Sequence, residues 1–363
     1  MKHKNKFREI IEKYITLFKN KEEENEEQLK EEKDINIGVN ILRVIYCFLV
    51  IVVHFGNGKI YNFAMKYIDF YVTSFFFMAF YFSYRTFSSR NVEKIKERFL
   101  KLFFPYFFWP IISFIRQNPR NINISTLFNR NVLKSFYFQY LLGNNIYGIL
   151  WFLFDLIIVS IFVCIISLMF KGYHLYVLFL VFILNTIYNF FRLHPILLEG
   201  FSRHPIKQPL EMMNEVPTFA IIGYTLGYFD ILNRLKKLNK YIFIFFSPIF
   251  YIVRWHQEVF DFFPRFNVIF NTIFISCIFI FFGTLPFHLC KIKFLKDILK
   301  IITSHTGGIY YMHIEAFYIL LNGNHYVSPR TIRGCIILYI CCFIICDIGT
   351  RILKKWRFRY LFN

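Results

Sequence analysis

The sequence predicts an all-α, polytopic integral membrane helix bundle of about ten transmembrane helices, with both termini cytoplasmic. Three observations predict it. Of 363 residues, 56% are hydrophobic and 22% aromatic, well above the apolar share of ordinary soluble domains. Apolar runs recur along the chain, each close to the roughly 20 residues needed to cross the hydrocarbon core. Lys and Arg gather in alternate connections between these runs, as the positive-inside bias requires. The formal charge of +20 is therefore read by position, as loop charge in a membrane protein, and not as a nucleic-acid surface.

In chain order, residues 1–37 form a charged tail holding nine Lys or Arg against ten Asp or Glu. This composition predicts a loosely ordered cytosolic segment. A secretory signal is not expected, because the first apolar run follows a long charged stretch without a small-residue cleavage site. Runs follow at 38–58, 67–87, 99–116, 149–170, 173–191, 216–232, 238–254, 266–287, 299–321 and 332–350. With the tail inside, the inner connections carry Arg90, Lys94, Lys96 and Arg98, then Arg234, Lys236, Lys237 and Lys240, then Lys291, Lys293, Lys296 and Lys300. Residues 351–363 add a short basic C-terminus. The longer outer connections, 117–148 and 192–215, have sparser basic residues. Seven of the eight cysteines fall inside apolar runs with no CxxC pair, so neither a disulfide nor a metal site is expected. No internal repeat of the inverted-transporter kind is visible.

The first run, "NILRVIYCFLVIVVHFGNG", holds two ionisable groups, Arg43 and His54. Eleven steps of 100° bring them to one helix face, roughly three turns and 16 Å apart along the axis. An intramembrane Arg costs about 2.5–3.5 kcal/mol at a span's centre and is by default a functional candidate. The plainer reading makes Arg43 a membrane-edge anchor and His54 an interfacial hydrogen-bonding group.

"NILRVIYCFLVIVVH" resembles the first span of the acyltransferase-3 family of membrane-bound acyltransferases, whose hallmark is Arg, ten residues, then His. The resemblance continues in order through "SFFFMAFYFSYRTF", "KIKERFLKLFFPYFFWP", "ILWFLFDLI", "VPTFAIIGYTLG" and "SHTGGIYYMHIEAFY", covering residues 38 to about 350. Two departures stand out. Ala79 and Phe80 replace a common Ser-Gly, and Asn40 lies where an acidic residue often precedes the Arg.

Membership implies transfer of an acyl group, usually acetyl, from acyl-CoA to a hydroxyl of a cell-surface or lipid-linked glycan, at the cell (inner) membrane. A thioester is already activated, so a base and an oxyanion-stabilising group suffice. No permanently bound cofactor and no metal are implied; acetyl-CoA or another acyl-CoA is the donor substrate. The resemblance assigns His54 as base and Arg43 to the donor side, gripping a CoA phosphate or polarising the thioester. Arg85, Arg90, Lys94, Lys96 and Arg98 are candidates for the CoA phosphates and equally for ordinary inside charge. Ser304, Tyr310 and His313 offer polar support. His305 and His313, eight steps apart, lie about 80° off a common face; each serves as readily in hydrogen-bonded packing as in catalysis. "HQEVFD", 256–261, matches an HxxxxD acyltransferase pattern by spacing alone, on the outer side.

Two rivals remain. One is a transporter or flippase of a lipid-linked saccharide or acylated metabolite, since polar groups inside a bundle also form permeation paths. The other is a non-catalytic relative. Glycan identity, acyl length and oligomeric state have no readable code in the sequence.

Overall fold

In the computed structural model, the described residues are 36–56, 58–67, 71–117, 150–191, 215–235, 238–255, 267–285, 293–321, 331–353 and 357–362. The chain divides into two units, residues 1–36 and 37–363, and the second holds the helices. All regular structure among the described residues is helical.

Helix α1 (Ile37–Phe55) is apolar along its whole length, and nine of its residues are buried, including Val39, Leu42, Tyr46, Val50 and Val53 at the 3–4 spacing of one face. It ends where the glycines 56 and 58 lower helix propensity. Next come a short helix not expected from the sequence, α2 (Gly58–Tyr67), then α3 (Tyr71–Ser88) and α4 (Val92–Gln117). Asn91 caps α4, its side-chain oxygen accepting from the Lys94 N–H at 3.0 Å. Further on lie α5 (Leu150–Met169), α6 (His174–Phe190), α7 (Val216–Tyr228), α8 (Ile231–Leu235), α9 (Tyr241–Trp255) and α10 (Asn267–Thr284). The last are α11 (Lys293–Ser304), α12 (Thr306–Ala316) with a π-helical extension (Phe317–Leu321), α13 (Ile332–Ile352) and a 3₁₀ turn (Arg357–Leu361).

Each of the ten expected runs thus carries helix, but four helices among the described residues are long and apolar enough to cross a membrane: Ile37–Phe55, Val92–Arg116, Phe152–Met169 and Ile332–Ile352. His174–Asn189 and Val268–Thr284 are shorter apolar helices. The run expected as one span over 299–321 is broken. The His305 N–H bonds Ile302 O at 3.1 Å, a tightened i−3 link. Thr303, Ser304 and Thr306 turn their hydroxyls onto carbonyls of the preceding turn. Such side-chain bonds compete with the helical ladder, and a new helix starts at Thr306.

Helix α1 occupies the middle, touching α3, α10, α11, α12 and α13. The Ser-Gly expected in α3 is Ala79-Phe80, yet a close helix crossing still forms, because the glycines lie on the partner. Gly223 and Gly227 of α7 face the carbonyls of Phe77 and Tyr81, and an added Cβ at either position would collide with backbone. Small residues four apart allow this backbone approach. On α13, Ile332, Ile336, Ile340, Ile344, Ile348 and Ile352 form an exposed stripe, while Cys335, Leu338, Cys342 and Cys346 face inward. An outward apolar stripe on an apolar helix suits lipid, not water.

Candidate active site

The α1 frame and the break at His305 together build the site. At one end of α1, Arg43 donates from Nη2 to Thr306 Oγ1 at 3.1 Å. Thr306 sits at the start of α12, and its hydroxyl donates in turn to Thr303 O at 2.9 Å. That donation directs the oxygen's lone pairs toward the guanidinium. Cys47, one turn further along α1, donates to the Thr306 carbonyl at 3.4 Å. The Tyr311 hydroxyl lies within electrostatic range of both Arg43 and Arg98. Arg98 also donates to the Ala79 carbonyl at 3.3 Å and lies over the Phe87 ring. Arg43 and Arg98, expected from the sequence to share a role, therefore both act electrostatically on one tyrosine.

At the other end, His54 is exposed and its ring centre lies 5.2 Å from that of His313. His313 is fully buried. Its Nδ1 approaches Tyr310 O at 2.7 Å, while its Nε2 has no hydrogen-bond partner among the described residues. Tyr310 packs against Phe75 and Phe152, and the Phe55 ring lies tilted against that of Phe317 with centres 4.4 Å apart. Two residues past His313, the buried Glu315 accepts from Ser113 Oγ and from Arg116 Nε, the latter at 2.7 Å. The Arg116 guanidinium also lies 4.1 Å from the Tyr318 ring centre. Ser113 and Arg116 are on α4, so this network ties α4 to α12 beside the histidines.

The other candidates lie elsewhere. Arg90 spends its guanidinium on the Ser167 carbonyl at 3.3 Å. Arg85 bonds Tyr84 Oη at 3.0 Å, Lys96 pairs with Glu93 at 3.8 Å, and Lys94 is exposed. Ser304 returns its hydroxyl to Ile301 O at 2.7 Å. His305 does not meet His313: it bonds Phe362 O through Nδ1 at 3.0 Å and faces Asp347 at 3.6 Å. "HQEVFD" and the connections 118–149 and 192–214 lie outside the described residues. Among the described residues no group of three or more His, Cys, Asp or Glu gathers as metal ligands.

An acyltransferase domain family, acyltransferase-3, matches residues 36–356. The chain belongs to the acyltransferase-3 family. No curated protein matches it, and no solved structure does. This acyltransferase is a membrane protein whose Arg43 and His54 lie about three turns apart along the central helix, each facing the same late helix, α12. Sequence reasoning missed Thr306, Tyr311, Ser113, Arg116 and Glu315. Arg116 and Glu315 carried a signal, since each is a charge inside an apolar run. Asp155 of α5 carried the same signal; it is fully buried, and among the described residues its carboxylate oxygens have no hydrogen-bond partner.

Proposed function

We propose that this acyltransferase moves an acetyl group from acetyl-CoA to a hydroxyl of a cell-surface or lipid-linked glycan at the cell membrane, with the Lys- and Arg-rich connections and both termini cytosolic. The observation that carries the reading is the placement of an exposed His54 against a buried His313, at the far end of α1 from an Arg43 held by Thr306. His54 takes the hydroxyl proton as the oxygen attacks the thioester carbonyl. The C–S bond then breaks, and the proton goes to the departing CoA thiolate. General base catalysis of this kind contributes about 10²–10⁴-fold.

The separation of Arg43 from His54, roughly three helical turns, favours a CoA phosphate over the reacting carbonyl as the partner of Arg43. The pantetheine arm is an extended chain suited to bridging such a distance. Guanidinium matches phosphate geometry through paired N–H groups, and Arg98 beside Tyr311 adds a second positive charge at that end. In this reading Arg85, Lys94 and Lys96, exposed or engaged only in surface contacts, meet the nucleotide portion of CoA as it enters.

The test uses washed membranes from expressing cells supplied with acetyl-CoA. Wild-type protein releases CoA in proportion to added acceptor glycan, and His54→Ala abolishes this at unchanged protein level. Full activity in His54→Ala would remove the base assignment. Mass spectrometry of surface glycans from cells with and without the gene identifies the acyl mass and the acceptor.

A further inference from the structure

The buried imidazole of His313, like that of His305, has its Nδ1 proton fixed by a backbone carbonyl, but where His305 Nε2 faces Asp347 at 3.6 Å, His313 Nε2 has no hydrogen-bond partner among the described residues. A carbonyl oxygen can only accept, so Nδ1 at 2.7 Å from Tyr310 O carries the proton and donates it. In the neutral ring, Nε2 is then a bare lone pair. It is buried without a hydrogen-bond partner among the described residues. Buried polar atoms are rarely left so. Around His313 lie the rings of His54, Phe55 and Tyr310, with centres 5.2, 5.9 and 6.0 Å away. His54 is the nearest, and its ring carries an N–H.

We infer that His313 is a positioning residue for His54: its Nε2 lone pair accepts an N–H from His54 and turns the opposite, unprotonated nitrogen of His54 toward the acceptor hydroxyl. The inference rests on the acyltransfer reading above and deepens it. At a centre separation of 5.2 Å, facing ring nitrogens come within hydrogen-bond reach. The bond is not closed in this structure. His54 is exposed and can turn, whereas His313 is pinned by its Tyr310 bond and by burial, so His54 is the ring that moves. Catalytic hydrogen bonds often close only with the reactants in place.

Proton balance supports the assignment. When His54 takes the acceptor proton it becomes an imidazolium with two N–H groups. One points back to the substrate and later delivers that proton to the CoA thiolate; the other needs an acceptor. His313 Nε2 supplies that acceptor inside the protein, where an unpaired N–H would be costly. His313 itself gains and loses no proton. It does the work that a carboxylate does behind the histidine of a hydrolase triad.

The orienting carboxylate alternative is occupied. Glu315, on the same helix, is held by Ser113 and Arg116, and no hydrogen bond joins it to His54 among the described residues.

Two substitutions separate this role from simple packing. In His313→Asn the amide nitrogen lies near the place of Nδ1 and keeps the bond to Tyr310 O, but nothing replaces Nε2. In His313→Gln the amide oxygen reaches the place of Nε2 and accepts from His54 without being able to take a proton. In proteoliposomes of the full chain with radiolabelled acetyl-CoA and a membrane saccharide fraction, kcat in His313→Asn falls about 10- to 100-fold, the usual cost of losing an orienting partner. The KM for acetyl-CoA stays unchanged, and His313→Gln recovers most of the loss.

A second readout needs no turnover: carbethoxylation of His54 by diethyl pyrocarbonate, followed by mass spectrometry. The rate slows in His313→Asn and is retained in His313→Gln. Equal kcat loss in both variants, or His54 reactivity identical in all three proteins, overturns the inference. A wild-type protein that transfers no acetyl at all, yet shows the His313-dependent His54 reactivity, overturns the acyltransfer reading and not the pairing.

Discussion

Arg43 earns its position through one hydroxyl. Thr306 is both the acceptor for its guanidinium and a donor to Thr303 O, so the side chain is held in a single orientation before any ligand arrives. A hydrogen bond to a charged group contributes about 1.5–3 kcal/mol, or roughly one to two decades in an affinity. On the proposed function, Thr306→Val, which keeps the shape and removes the oxygen, raises the KM for acetyl-CoA about tenfold or more, with kcat changed less. Thr306→Ser stays close to wild type. Steady-state CoA release measured against acetyl-CoA concentration checks both. If Val and Ser behave alike, the hydroxyl is not what holds Arg43. Glu315 obeys the same logic: it accepts from Ser113 and Arg116, because burying a carboxylate is costly unless donors pair with it.

At the scale of elements, the close crossing of α3 and α7 is the joint most sensitive to size. Gly223 and Gly227 face Phe77 and Tyr81 carbonyls with no room for a Cβ, and the bulky Phe77 and Phe80 beside them are fully buried. Overpacking of this sort typically costs about 1–3 kcal/mol. Gly223→Val and Gly227→Val each lower the midpoint of thermal aggregation in detergent, and the double substitution lowers the yield of folded protein. Gly172, at the α5–α6 turn with φ +78° and open space around its Cβ position, is a control with strain but no collision. A Gly223→Val protein as heat-stable as wild type would show that the two helices do not meet through this face. The break between α11 and α12 is the other decisive element. Its hydroxyl-rich turn exposes the start of α12 to Arg43, and Gly308 lets the Phe362 backbone come within 2.5 Å of the place a Cβ would take.

For the whole molecule, the division at residue 36 coincides with the start of the family match at the same residue. The residues of the proposed site lie beyond it. On the proposed function, a protein lacking residues 1–35 therefore inserts into membranes and transfers its acyl group at the wild-type specific rate, as measured by CoA release per mole of purified protein. Loss of turnover with normal insertion would make the tail part of the catalytic unit.

Much of this was legible in the sequence. Apolar length alone marked a helix at each of ten places, because backbone groups in lipid must be satisfied within the segment. The Arg-to-His spacing put both on one face of the first helix, since 3.6 residues per turn is a local property. Which helix would meet that face was not legible. The pairing of His54 with His313 joins residues 259 apart in the chain, and that of Arg43 with Thr306 joins residues 263 apart. Nothing in either stretch encodes its partner. The late run also read as one span, because hydropathy counts apolar residues and is blind to hydroxyls that bond their own backbone at Thr303, Ser304 and Thr306. The sequence by itself determined the family, the helical class and the one face shared by Arg43 and His54, all set by local composition and periodicity. Only the tertiary structure decided which groups meet them, because contact between distant segments depends on how helices cross, and here the crossing depends on two glycines and a broken helix.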